Sequence, residues 1–147
     1  LWVFLLAVSI ALGWGWQIGA QEGDLSKYRV GAQLYVENCG TCHIALPPEV
    51  MPTQTWQVLL QDPNHYGAQL QNLPQGVLLE AVWEFMRDFS RAKASTELTP
   101  YRLSQSRYFR ALHPGVEFPT GIRPTGCIDC HPKANVGDFI SLTPKWQ

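Results

Sequence analysis

RVGAQLYVENCGTCH, residues 29–43, ends in Cys39-Gly40-Thr41-Cys42-His43, and the same C-x-x-C-H spacing returns at Cys127-Ile128-Asp129-Cys130-His131. These two units hold all four cysteines of the 147-residue chain and two of its four histidines. Two thiols three positions apart on a tight turn can each form a thioether to one vinyl group of a porphyrin. The adjoining imidazole then meets the iron. The spacing marks covalent attachment of haem c, twice, with His43 and His131 as proximal axial ligands. Paired C-x-x-C units also bind structural zinc, but the 84 residues between Cys42 and Cys127 exceed zinc-ribbon spacing. A thioredoxin-like redox pair needs a βαβ setting that neither motif has, and disulfides leave both histidines unexplained.

Two haems take up to four axial ligands, and only His65 and His113 remain. Each lies in a proline-containing turn, in Asp-Pro-Asn-His-Tyr-Gly and Leu-His-Pro-Gly. His65 follows His43 by 22 residues and His113 precedes Cys127 by 14. The simplest pairing is His43 with His65 on one iron and His131 with His113 on the other. Methionine is the rival sixth ligand in cytochromes c. Met86 fits the apolar face of a helix and reads as core, whereas Met51 sits in a proline-rich loop of the kind that delivers an axial methionine.

Working outward, residues 1–20 carry no charged side chain, so every charge lies in 21–147. As a helix they would reach roughly 30 Å, the thickness of a hydrocarbon core. Trp2, Trp14 and Trp16 lie near the ends of that stretch, as interfacial indoles do. The segment reads as a membrane anchor, with a signal peptide cleaved after Ala20 as the alternative. Either places the remaining chain on the outer, periplasmic or lumenal, side of a membrane.

Beyond it, helical spacing predicts a helix from a cap at Asp24 or Ser26 to Cys39, with Gly31 and Tyr35 on one face. The three prolines of residues 46–52 predict a loop. Helices follow over 53–61 and 75–92, the latter with Val77, Leu78, Val82, Phe85, Met86 and Phe89 on its apolar side. Thr99-Pro100 predicts the start of another, ending near Leu112. No sheet is visible. The polar stretch 91–97 divides a haem domain over 21–95 from a second over 96–147. The first carries five basic and eight acidic residues, the second six and four. A net charge of −1 gives no electrostatic basis for binding nucleic acid. Both halves are small enough to need added apolar mass, which haem supplies. Trp56, Trp83, Tyr66, Tyr108 and Phe109 are candidate haem-packing aromatics. Arg102, Arg107, Arg110 and Arg123 are candidate partners for propionates or for an acidic docking surface.

Residues 29–43, with small Gly31, aromatic Tyr35 and the C-x-x-C-H, resemble the N-terminal helix and haem motif of class I cytochromes c. The resemblance extends to the small dihaem cytochrome c family, DHC. Its CGxCHxAxPP pattern is similar to residues 39–48, its following proline and tryptophan to Pro52 and Trp56, and its H-[FY]-G to His65-Tyr66-Gly67. An aromatic helix ending in His113, the second C-x-x-C-H and Gly137-Asp138-Phe139 complete the likeness. It implies a mainly α fold, with a class I-like helical haem domain followed by a loop-rich second one. It further implies bis-histidine ligation at both haems and an exported electron carrier, not an enzyme. Its partners would be membrane b-type cytochromes or small c-type cytochromes. A dihaem peroxidase or a haem sensor is the alternative, and either would need one labile axial ligand.

Overall fold

The computed structural model describes residues 25–62, 64–70, 73–119 and 121–146, with the backbone alone of His65. The apolar segment 1–20 therefore lies outside the described residues. Among the described residues no helix is long and apolar enough to cross a membrane. The fold is mainly helical: α1 is Arg29–Cys39, α2 Thr53–Gln61, α3 Val77–Phe89 and α4 Arg107–Leu112. Short 3-10 turns punctuate the remainder, and pairing of extended backbone is confined there to two isolated bridges, Pro52 with Arg91 and Lys133 with Asp138.

The crossing of α1 on α3 organises the first half. Gly31 makes it possible, because a Cβ there would lie 2.1 Å from the carbonyl oxygen of Ala81. One turn later Tyr35 buries its ring against Phe85 and Trp56, at centroid separations of 5.9 and 6.1 Å. Tyr28 closes the start of α1 onto α3, edge-on to Phe89 at 4.9 Å and bonded to Asp88 at 2.7 Å.

The proline-rich loop after His43 has little regular backbone pairing, so buried side chains meet its carbonyls. Tyr35 Oη donates to Leu46 O at 2.8 Å, Trp56 Nε1 to Pro48 O at 2.7 Å and Ser106 Oγ to Val50 O at 2.6 Å. Thr55, also buried, donates to Pro100 O. Two of these bonds run between residues on opposite sides of position 95. The core does likewise, joining Tyr35, Met51, Trp56, Val82 and Met86 to Leu103 and Phe109.

The helix expected from Pro100 to Leu112 is instead a 3-10 turn, Leu103–Gln105, and the short α4. Ser106 is the reason. Its hydroxyl caps α4 by accepting from Phe109 N at 3.2 Å while donating to Val50, which restarts the helix at Arg107. The helix expected over 75–92 is shorter, beginning at Val77 after Gly76 at φ 56° and ending before Ser90.

Candidate haem sites

The first motif forms where α1 ends. Cys39 is its last residue, Gly40 caps it by donating to Val36 O at 2.9 Å, and Cys42 turns outward into solvent. Cys39 faces inward, and burial followed by the nearby Cys42 thiol pushes its own thiol up to about 11. A cavity of about 300 Å³ opens beside it, lined by Tyr35, Cys39, His43, Leu46, Met51, Trp56, Leu60, Tyr66 and Met86 from the first half. Arg102, Leu103, Ile122 and Arg123 complete it from the second. Its walls are mostly apolar with a few directed polar groups, which is the chemistry of a cofactor cleft.

His43 Nδ1 lies 2.7 Å from the carbonyl oxygen of Ile44. A carbonyl only accepts, so Nδ1 is the donor in this contact, which leaves Nε2 as the nitrogen available to a metal. His65 opens the 3-10 turn His65–Gly67, which follows the end of α2. Met51 is almost wholly buried and lines the same cavity, as does Met86.

The second motif is built from turns. A 3-10 helix, Pro124–Asp129, carries Cys127, and both Cys130 N and His131 N donate back to Cys127 O, at 3.3 and 2.8 Å. His113 caps the C-terminal end of α4, its Nδ1 donating to Phe109 O at 2.8 Å and its ring stacked on Phe109 at 4.2 Å. The His113 and His131 rings face one another with centroids 6.1 Å apart and planes at 88°. Two imidazoles this close could both serve one metal ion. His131 Nδ1 is buried without a hydrogen bond. Burial, then the neighbouring His113, hold the His131 ring below its ordinary pKa and so neutral. Both sites fit haem.

Of the aromatics expected to pack haem, Trp56 and Tyr66 line the cavity and Phe109 backs His113, whereas Trp83 and Tyr108 line no part of it. Phe118, 5.9 Å from the His113 ring, and Phe139, 5.8 Å from that of His131, flank the histidine pair. Phe118 was not foreseeable, because nothing in its spacing ties it to a motif.

A helix crossing that ends in one C-x-x-C-H, and a turn-built histidine pair beside another, define a c-type haem protein with two centres. The sequence profile of the family DHC, dihaem cytochrome c, matches residues 35–139, and the chain belongs to that family. It accordingly carries two covalently bound c-type haems with their iron, as a haem-based electron carrier of an exported family. Two solved structures are similar. A diheme cytochrome c from Rhodobacter sphaeroides has a TM-score of 0.57 at 23% identity. DHC purified from Rhodobacter sphaeroides has a TM-score of 0.55 at 25% identity. Each comparison covers 71% of this chain and 94% of the other. No curated protein matches the chain.

Proposed function

We propose that the chain relays single electrons between redox proteins on the periplasmic or lumenal face of a membrane, with both irons held by two histidines. Cys39 and Cys42 bind the first haem, with His43 and His65 as its axial ligands. Cys127 and Cys130 bind the second, with His131 and His113. The division into haem domains over 21–95 and 96–147, with residues 1–20 as an anchor, belongs to the same reading.

The observation that supports it is the closeness of His113 and His131, whose ring centroids lie 6.1 Å apart, a separation that two ligands of one ion would have. When bound, the haems supply a one-electron Fe(III)/Fe(II) couple. Four histidines filling the axial positions leave none for a substrate, so the protein's part is to hold, insulate and tune. Two imidazoles in place of imidazole and thioether favour a lower potential. Tyr35, Leu46, Trp56 and Met86 keep water from the first site, and Arg102 and Arg123 bring guanidinium groups suited to propionate carboxylates. Arg107 and Arg110, both exposed, are suited to an acidic partner surface. A membrane b-type cytochrome or a small c-type cytochrome fits that role.

The test is spectroscopic. The oxidised and reduced holoprotein should be low-spin at both haems and should not bind CO promptly when reduced. His65→Ala and His113→Ala should each turn one haem high-spin. Prompt CO binding by the unmodified reduced protein would overturn the bis-histidine reading. Two low-spin haems in the His65 variant would assign the ligand to Met51.

A further inference from the structure

We propose that Tyr101, from the second half, is a positioning residue for the axial ligand of the first haem, because it clamps the turn that His65 begins. The inference rests on the reading of His65 as that ligand.

The turn is short and strained. It leaves α2 at Asp62, whose Oδ1 accepts from Asn64 N at 2.9 Å, and it closes through Gly67 N to Asn64 O at 3.0 Å. Between them Tyr66 sits at φ 56°, ψ 19°, the only non-glycine residue at positive φ among the described residues. A tyrosine stays in the left-handed region only when its surroundings hold it there.

Tyr101 supplies that hold at several points. Its hydroxyl accepts from Tyr66 N at 3.2 Å and donates to Asp62 Oδ2 at 3.2 Å, so one oxygen ties the beginning of the turn to its middle. The Tyr66 hydroxyl donates in return to the Tyr101 carbonyl, and the rings lie 4.8 Å apart. The Arg102 guanidinium covers the Tyr66 ring at 5.2 Å. Tyr101 is itself fixed by the Gln105 side chain, which accepts its N–H at 2.8 Å. The backbone on the C-terminal side of His65 is therefore pinned from beyond position 95. Tyr66 and Arg102 also line the cavity, which places the clamp on the wall of the first haem site.

If His65 is that ligand, a held turn should favour its rebinding over a competing ligand, and a released turn should let the competitor enter. CO binding to the dithionite-reduced holoprotein, followed by stopped flow in the Soret band, reads this directly. His65→Ala should expose a fast phase of half the total amplitude, which identifies the first haem. Tyr101→Phe keeps the ring and the carbonyl but removes the hydroxyl. It should accelerate that same phase by about fivefold to tenfold over the unmodified protein, leaving the other haem's phase unchanged. Tyr66→Phe removes only the donation to the Tyr101 carbonyl and should act in the same direction, so it serves if Tyr101→Phe does not load haem.

The outcomes separate cleanly. A fast phase in His65→Ala with unaltered rates in both tyrosine variants overturns the clamp and spares the ligand assignment. Equal acceleration at both haems reduces the contact to general stability and also overturns it. No new phase in His65→Ala overturns the ligand assignment, and the clamp's purpose with it.

Discussion

The two haem sites reach similar chemistry by opposite routes. The first is a cavity between packed helices: α1 crosses α3 at Gly31, and Tyr35, Trp56 and Met86 form its walls. Regular secondary structure positions it, yet it borrows Leu103 and Ile122 from the far half. The second has little regular structure. Two histidines on turns already face each other, backed by Phe109, Phe118 and Phe139. Helix packing therefore shapes a site from outside, whereas a pair of neighbouring imidazoles organises one from within. It follows that the first site should fail when helix contact fails, and the second when its ring contacts fail.

Glycine substitutions give the largest expected contrast. Gly31→Val forces a branched side chain into the Ala81 carbonyl, so α1 and α3 must separate, at a cost of about 3 kcal/mol. Gly126→Ala, beside the second motif, has only the Asp129 carboxylate within range at 3.7 Å and should change stability by less than about 0.5 kcal/mol. Thermal unfolding of the two holoprotein variants measures both. Equal losses would mean that the halves do not differ in how they are built.

Legibility in the sequence follows the same division. Helical spacing, a small residue at 31 and an aromatic at 35 describe a face with a fixed period, so α1, α2 and the core of α3 were readable to within a few residues. The α4 boundary was not, because Ser106 restarts the helix by bonding a carbonyl 56 residues away, which no local pattern encodes. The C-x-x-C-H units announced both sites. The contribution of Leu103 and Ile122 to the first, and of Tyr101 to the turn beside it, depends on tertiary packing alone. The approach of His113 to His131 was expected from counting histidines, from the nearness of His113 to the second motif and from the family resemblance; its near-perpendicular ring geometry required the fold.

The seam between the halves sharpens the comparison next. Glu97, almost fully buried, takes a two-pronged contact from Arg91 at 2.5 and 2.7 Å and a further bond from Ala94 N. Arg91 in turn gives its carbonyl to Thr53 N, so the pair fastens the start of the second half to α2. The Arg91 hydrogen bond holds the Glu97 carboxyl below the usual range. A depressed folded-state pKa contributes stability that is complete above the unfolded carboxylate value, about 4.3, and is lost as pH falls through the folded one. Glu97→Gln strands the guanidinium and should cost about 2–3 kcal/mol at neutral pH, less than a fully enclosed pair because Arg91 is partly exposed. Acid titration of unfolding should show the variant and the parent converging as pH falls below the unfolded carboxylate value. A constant gap throughout would deny the carboxylate any linked role.

A smaller loss than that of the seam is expected within the second site. Phe109 is buried, stacks on His113 at 4.2 Å with planes 25° apart, and lies 5.7 Å from Phe118. Phe109→Leu keeps most of the apolar volume while removing the stacked face, so overall stability should fall by only about 1 kcal/mol. Its local consequence is more informative. The Nδ1 bond to the Phe109 carbonyl survives, because it is made by backbone, and the ring of His113 loses the surface that fixes its plane. The electron paramagnetic resonance signal of the ferric holoprotein should therefore shift for one haem, the one proposed to be attached at the second motif, while that of the other stays in place. An unchanged pair of signals would mean that the backbone bond alone sets the ring, and that the aromatic surround of the turn-built site is packing without direction.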